Sequence, residues 1–143
     1  MSVDSAAAPA VMRAFLEEVW NAHALDRFSE FVSSDVRFQP PRGPARDHAS
    51  YHAMAQHFLA AFSDLHFAVE RVTGDAEQAA ARLVITGTND GPFRGRPATG
   101  RKVRVVGQPF CRVRNGKIVE FCQLFDELGM LHQLGHVEDA TLL

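Results

Sequence analysis

The feature of this sequence that most constrains its fold is a change in hydrophobic period near residue 65. Before that point, apolar residues recur at helical spacing, as in Val11, Phe15 and Val19 and again between Tyr51 and Phe62. After it, apolar and polar residues alternate, with turn residues between the alternating runs. Helices followed by a run of strands are typical of an α+β arrangement, in which the helices cover one face of an antiparallel sheet.

Turn and capping residues divide the chain into helices and strands. Asp47 is a suitable N-cap for a helix that continues to residue 62, and a short helix is predicted to begin near Glu127 and to end by Gly135. The predicted strands cover residues 36–39, 67–72, 79–88, 103–113 and 118–125. Pro109 cannot donate a ladder hydrogen bond, so a bulge or a local edge is expected there. We expect one domain, residues 1–143, with residues 1–8 and 136–143 as flexible tails.

Composition and charge exclude several classes of partner. The chain has 143 residues, of which 46% are hydrophobic and 22% charged, as in a globular domain. A net charge of −2 gives no electrostatic reason to bind nucleic acid. No segment reaches the roughly 18 apolar residues that cross a membrane, and the N-terminus does not resemble a signal peptide. With two cysteines that form no framework, we expect a soluble, cytoplasmic protein.

Several local strings, in this element order, are similar to those of a known family. They lie at residues 15–21, 61–67, 87–93, 115–120 and 125–131. Together they resemble the SnoaL-like polyketide cyclases, a branch of the nuclear-transport-factor-2-like (NTF2-like) superfamily. The resemblance implies a cone, with a curved antiparallel sheet wrapped around the N-terminal helices and an apolar pocket between them. It also implies a homodimer formed through the outer sheet face, and ring closure in a polyketide intermediate without a metal or an organic cofactor.

Asp126 is the first candidate for chemistry. It follows the apolar residues Phe121, Leu124 and Phe125, where partial burial would raise the pKa of a carboxyl group and allow proton transfer near neutral pH. In the family that this chain resembles, the aspartate of this string moves a proton from carbon to oxygen. The alternative is that Asp126 caps the helix that begins at Glu127.

The residues that accompany Asp126 depend on the hairpin at Asn115-Gly116. A three-residue loop places Gln108, Phe110 and Arg112 on the face of Cys122, Leu124 and Asp126; a two-residue turn places residues 105, 107, 109 and 111 there instead. We favour the three-residue loop. Gln108 and Arg112 are then predicted to stabilise a substrate oxygen, and Phe110, Cys122 and Leu124 to line the pocket. The alternative for these side chains is a solvated outer face or a dimer interface.

The aromatic residues of the helices are mostly predicted to form the core. Phe15, Trp20 and Tyr51 are the three that we place at the pocket, because a buried indole N–H or phenol needs a hydrogen-bond partner that a ligand could supply. Histidine pairs at residues 48 and 52 and at 132 and 136 have the spacing of metal ligands on a helix but no evident third ligand, so no metal site is predicted.

The sequence thus predicts a cofactor-independent cyclase with Asp126 as proton shuttle. Gln39 and Asn89 occupy positions where members of the similar family often carry histidine, and Phe121-Cys122 stands where they often carry His-Trp. The pocket is therefore expected to be more apolar, which keeps a pericyclic or spiro cyclisation by shape and hydrogen bonding as the first alternative. A non-catalytic small-molecule binding module is the second alternative, because a fold alone does not determine activity.

Overall fold

The first part of the chain is helical, as its apolar spacing predicts. In the computed structural model, which describes residues 7–138, Pro9 lies in the first turn of α1 (Ala8–Phe15). The helix continues as a π-helical turn, Leu16–Asn21, and is followed by a 3₁₀ turn, Leu25–Arg27, and the short α2 (Phe28–Phe31). The buried side chains of α1 and the π-helical turn face the interior of the molecule.

The remaining elements follow in the predicted order. They are β1 (Val32–Gln39), α3 (His48–Ala61), β2 (His66–Gly74), β3 (Gln78–Thr88), β4 (Lys102–Gly107), β5 (Phe110–Arg114), β6 (Lys117–Cys122) and α4 (Glu127–Gln133). Asp47 caps α3 as predicted, since its side chain accepts a hydrogen bond from the Ser50 amide at 2.9 Å.

The six strands form one curved, unclosed sheet, which confirms the mixed α+β, NTF2-like fold. The strand order is β1-β6-β5-β3-β2, with β4 also paired to β3. β1 runs parallel to β6, and the other pairs are antiparallel. α1 packs against β2, β3, β5 and β6, while α3 packs against β1. The helices and the inner face of the sheet therefore share one core.

The predicted strand 103–113 is two strands, because the chain is interrupted at Gln108-Pro109. β4 pairs with the second half of β3 and β5 with its first half. At the break, the Pro109 carbonyl accepts a hydrogen bond from the Ala81 amide at 3.0 Å, and the Gln108 amide donates to the Leu124 carbonyl at 2.8 Å. A proline that lacks an N–H explains why the ladder is interrupted here.

The three-residue loop that we favoured for the hairpin is wrong. Arg114 pairs with Lys117, and Asn115 and Gly116 both have positive φ (53° and 75°), as in a two-residue type I′ turn. A bulge at Val119 then shifts the register by one residue, so that Cys111 lies opposite Phe121. Phe110 and Arg112 consequently share a face with Cys122 and Glu120, as in the register that we favoured, but through a different turn. Ile118, on the other side of the bulge, lies on the opposite, buried face.

The described residues leave out most of both chain ends. Residues 1–6 and 139–143, most of the predicted tails, lie outside the described residues, whereas Ala8 is buried at the start of α1. Between residues 7 and 138, no helix is long and apolar enough to cross a membrane. The same residues contain no group of three His, Cys, Asp or Glu side chains placed to hold a metal ion.

Candidate functional site

A cavity of about 660 Å³ opens at one end of the cone. Its walls come from the loop after β1, from α3, from the loop between β3 and β4, and from the segment that joins β6 to α4. The apolar lining residues are Pro40, Pro41, Met54, Phe58, Pro92, Phe93 and Phe125, and the charged or polar ones are Arg42, Arg46, His57, Arg94 and Glu127. A cavity of this size, mostly apolar with a few polar groups, is typical of a small-molecule site.

A second, smaller cavity of about 20 Å³ lies deeper in the cone. Met54, Phe58 and Phe125 line both cavities, so these three side chains form the wall between them. Trp20 and Gln123 line only the inner cavity. The Phe58 ring is packed edge-to-face against Phe93 and Phe125, so the flexible Met54 is the side chain whose rotamer change would open this wall.

Two residues that line the inner cavity each have a buried side-chain polar atom without a hydrogen-bond partner. These atoms are the indole nitrogen of Trp20, a residue that is 3% exposed, and the Oε1 atom of Gln123, which is 7% exposed. A buried donor or acceptor without a partner destabilises the folded state by about 1–3 kcal/mol. Both atoms are buried, so a ligand would reach this donor and this acceptor only if the side chains around the inner cavity moved.

The orientation of Trp20 follows from the π-helical turn and from its neighbour Asn21. The Asn21 side chain donates to the Phe67 carbonyl at 2.9 Å and accepts from the Phe67 amide at 2.7 Å. Its amide thus pairs with β2 much as a strand residue would. The Trp20 ring is held against the Phe67 ring, with 5.1 Å between the ring centroids. Single π-helical turns within α-helices occur frequently at functional sites.

Tyr51 lies in the aromatic core beside this site. Its ring stacks on Phe38 with a centroid distance of 3.9 Å, and its hydroxyl group has no hydrogen-bond partner. Burial raises the pKa of Tyr51 far above its ordinary value, and the nearby indole N–H of Trp20 offsets only part of that effect. Tyr51 is therefore a neutral phenol at any physiological pH.

The mouth of the larger cavity carries a three-residue ion-pair cluster. Glu127, whose side chain is 12% exposed, accepts a hydrogen bond from Arg94 at 2.8 Å and another from Arg42. Partial burial alone would raise the pKa of Glu127, but the hydrogen bonds and charges of Arg94 and Arg42 together hold the pKa below its ordinary value. Glu127 is thus ionised at neutral pH, and it links the loop after β1 to the loop after β3.

The loop that carries Arg94 is organised by Asn89, which is fully buried. The Asn89 side chain donates to the Ala61 and Gly91 carbonyls at 3.3 and 2.8 Å, and it accepts from the Thr99 amide and hydroxyl at 2.9 Å each. One amide thereby fixes both ends of the 89–100 loop to the end of α3. The position of Phe93 and Arg94 at the pocket mouth depends on this network.

The comparison with known protein families identifies the chain. The model of the SnoaL-like polyketide cyclases matches residues 10–134. The chain belongs to this family. No match was found among curated proteins.

Solved structures of SnoaL-like and related proteins agree with this assignment. IdmH of Streptomyces antibioticus, assigned as a polyketide cyclase, is 30% identical with a TM-score of 0.78 over 90% of this chain and 99% of its own. A SnoaL-like polyketide cyclase of Agrobacterium tumefaciens is 27% identical with a TM-score of 0.75, covering 91% and 99%. AclR of Streptomyces galilaeus, assigned as a hydroxylase, is 25% identical with a TM-score of 0.81, covering 91% and 85%. The family assignment thus supports a cyclase-type role.

Asp126, the aspartate in the string by which the chain resembles SnoaL-like cyclases, lies at the N-cap of α4. Its carboxylate is exposed and accepts a hydrogen bond from the Gly129 amide at 2.9 Å. It lines neither of the two cavities, although its neighbours Phe125 and Glu127 both do. The structure therefore contains the capping contact of the alternative interpretation, and proton transfer by Asp126 stays a prediction.

The residues predicted to accompany Asp126 lie on the outer face of the sheet. Gln108 is exposed, Phe110 and Cys122 are half-buried, and Leu124 is 59% exposed. Arg112 pairs with Glu120 on the same face at 3.4 Å. None of these five residues lines either cavity, so their predicted contact with a substrate in the pocket has no support in this geometry.

The three predicted aromatic residues lie inside the cone. Trp20 borders the inner cavity, whereas Phe15 and Tyr51 are buried in the aromatic cluster next to it, with 6.4 Å between their ring centroids. Cys111 is also buried, and burial raises the pKa of its thiol to about 12, which makes it a poor nucleophile.

Sequence reasoning missed most of the residues that line the pocket. Gln123 could have been found, because an amide two residues from Phe121 and Phe125 shares their face of an alternating strand. Arg42, Arg94 and Glu127 could not, because nothing in the sequence indicates that three such distant residues meet.

Proposed function

We propose that this protein closes a ring in an apolar polyketide-type substrate by folding the chain and polarising it with hydrogen bonds. The observation that carries the proposal is the largely apolar cavity of about 660 Å³, with an inner cavity behind it whose lining residues Trp20 and Gln123 have buried polar atoms without a hydrogen-bond partner. Within residues 7–138, the one carboxylate that lines the cavities is that of Glu127, which two arginines keep ionised. Proton donation by a pocket carboxyl group is therefore not part of the mechanism.

Ring closure within one chain is limited mainly by the need to bring two distant atoms together. A pocket that holds the folded chain supplies this proximity in advance of the reaction. The walls formed by Met54, Phe58, Phe93 and Phe125 have the apolar surface to do so. They also exclude water, which strengthens any hydrogen bond made inside the pocket.

The polar atoms would act on a substrate carbonyl group. A hydrogen bond from the Trp20 indole N–H to a conjugated carbonyl oxygen withdraws electron density from the neighbouring carbon–carbon double bond and makes it a better electrophilic partner. Because the N–H is already buried and oriented, little reorganisation accompanies the reaction. A pericyclic closure, such as a [4+2] cycloaddition, needs only this polarisation, since its bonds form without transfer of a proton.

An aldol closure with Asp126 as the shuttle stays as the alternative. It requires the substrate, or a rearranged start of α4, to bring the reacting carbon to an exposed carboxylate that now caps the helix through Gly129. The pocket-based proposal requires no such rearrangement, and for that reason we prefer it.

The proposal is tested by deleting the gene in the producing organism and incubating the purified protein with the compound that accumulates. We expect a linear compound, which the protein converts into a cyclic isomer of the same mass without an added cofactor. Binding without conversion would contradict the proposal and favour a binding module. A product that has gained an oxygen atom would also contradict it and would favour the hydroxylase activity assigned to AclR.

We also propose that the outer face of the sheet forms a homodimer interface. Leu124 (59% exposed) and Val106 (37% exposed) are large apolar side chains on this face, next to the half-buried Phe110. Sedimentation velocity of the wild type should show a dimer, and Leu124→Glu should shift it to monomer. A wild-type monomer at micromolar concentration would refute this proposal.

A further inference from the structure

We propose that the substrate carries an anionic end group, a carboxylate or a phosphate, which the arginines at the pocket mouth bind. This inference rests on the proposed function and names the substrate class for the same site. It is carried by the charge of the cavity lining, by an arginine without an ion-pair partner, and by the backbone conformation of a second arginine.

The pocket mouth has a charge opposite to that of the protein as a whole. The chain carries a net charge of −2. The large cavity is lined by Arg42, Arg46 and Arg94 against the single carboxylate of Glu127. With His57 counted as neutral, the lining therefore has two excess positive charges. Positive charge concentrated in a concave site raises the local concentration of anionic ligands and increases their rate of association.

Arg46 is positioned for a ligand and not for an internal ion pair. Its backbone pairs with Phe38, whose amide donates to the Arg46 carbonyl at 2.9 Å, so the main chain is fixed at the cavity wall. Within the described part of the chain, its guanidinium group makes no salt bridge. Arginine can bind a carboxylate or a phosphate through two parallel hydrogen bonds, which makes it well suited to both end groups.

Arg94 has a positive φ, a backbone conformation that is unfavourable for arginine. Phe93 and Arg96 exchange backbone hydrogen bonds of 2.9 and 3.0 Å, so Arg94 and Gly95 form a two-residue turn in which φ is 52° and 77°. Asparagine, aspartate or glycine is the usual residue at this first position, because a larger side chain is strained there. Strained residues are concentrated at binding sites. Here the strain places the guanidinium group 4.9 Å from the centroid of the Phe93 ring and against Glu127.

The arrangement also gives the substrate a direction. The arginines line the outer cavity, whereas Trp20 and Gln123 line the inner cavity, behind Met54 and Phe58. An anionic end group held at the mouth would leave the apolar chain to extend inward. Its reactive part would then meet the buried donor.

Isothermal titration calorimetry with three ten-carbon probes tests the inference: decanoate, decyl phosphate and decan-1-ol. We expect both anions to bind at least about tenfold more tightly than the alcohol, as charge-assisted hydrogen bonds to arginine predict. The tighter of the two anions identifies the end group, carboxylate for a released chain and phosphate for a chain still attached to a phosphorylated arm. Equal affinities for all three probes would overturn the inference.

Matched variants separate a binding role from a structural one. Arg46→Gln and Arg94→Asn should each reduce the preference for anions about tenfold while affinity for decan-1-ol stays unchanged. Arg96→Gln, which removes the same charge from the same turn but not from the cavity lining, is the control and should keep the preference. Arg94→Asn suits the turn but loses the ion pair with Glu127, so its anion preference, and not its Tm alone, reports the binding role. A lower Tm with an unchanged preference would overturn the binding role of Arg94.

A blocking variant distinguishes failure of this inference from failure of the proposed function. Met54 lines both cavities, and the larger side chain of Met54→Trp would occupy space where they meet. This variant should abolish binding of all three probes. If decan-1-ol binds and Met54→Trp blocks it, the apolar pocket stands even when the anions show no advantage. If no probe binds to the wild type, both the inference and the pocket-based function are contradicted.

Discussion

The carboxylate of Asp126 accepts a hydrogen bond from the Gly129 amide at 2.9 Å, which makes this residue the N-cap of α4. The packing around Gly129 is tight, since a Cβ atom there would lie 2.2 Å from Asp126 Oδ2. The contact places the exposed carboxylate on the outside of the segment whose neighbours, Phe125 and Glu127, line the pocket.

Substitutions at Asp126 should therefore affect stability according to their capping ability. Asp126→Ala should lower the free energy of unfolding by about 1 kcal/mol, and Asp126→Asn should change it by only a few tenths, because asparagine caps well. Urea denaturation measures both values. Equal destabilisation by alanine and asparagine would contradict the capping role.

Stability should depend on the ionisation of Glu127. Because Arg94 and Arg42 hold its folded-state pKa below the ordinary value of 4.5, its contribution is fully present above about pH 4.5 and is lost as the pH falls through the folded-state pKa. Thermal unfolding of wild type and Glu127→Gln should differ at pH 7 and converge in acid. The same difference at pH 7 and pH 3 would refute this account, and Glu17→Gln, whose ion pair is exposed, is the control.

Asn89→Ala should be one of the more destabilising single substitutions in the chain. It leaves the Ala61 and Gly91 carbonyls and the Thr99 amide without the partners that the structure gives them, and each unpaired buried group destabilises the fold by about 1–3 kcal/mol. We expect a loss of at least about 2 kcal/mol by urea denaturation and faster hydrogen exchange in the 89–100 loop. Unchanged exchange in that loop would contradict the proposed organisation.

Gln123→Leu should increase the stability of the folded protein. It replaces a buried acceptor that has no partner with an apolar side chain of similar size, so the free energy of unfolding should rise by about 1 kcal/mol. Calorimetry should show a higher Tm. A lower Tm would mean that the amide already has a stabilising partner in the folded protein.

The fold could be predicted because its determinants are local. The change of period near residue 65, the Asp47 cap and the Pro109 interruption each act within a few residues, and the structure has all three. The hairpin was harder, since the Asn115-Gly116 turn and the bulge at Val119 alter the register in successive steps. The prediction that Phe110 and Arg112 share a face with Cys122 was correct, although the turn was predicted wrongly.

The site was less predictable, because it depends on which face of the sheet is inward and on contacts between distant residues. The alternation of residues along the strands placed Gln108 and Arg112 on the same face as Asp126. It could not reveal that this face points outward. Arg42 and Arg94 reach Glu127 from loops that are 85 and 33 residues away in sequence. No periodic pattern encodes such a contact.

The most direct test of the central claim compares turnover of the linear substrate by Trp20→Phe and Asp126→Asn. If the Trp20 indole N–H polarises the substrate inside the pocket, Trp20→Phe should lower kcat at least about tenfold, while Asp126→Asn should stay within about threefold of the wild type. A loss of about a hundredfold or more in Asp126→Asn, with Trp20→Phe near wild type, would contradict the claim and would restore Asp126 as the proton shuttle.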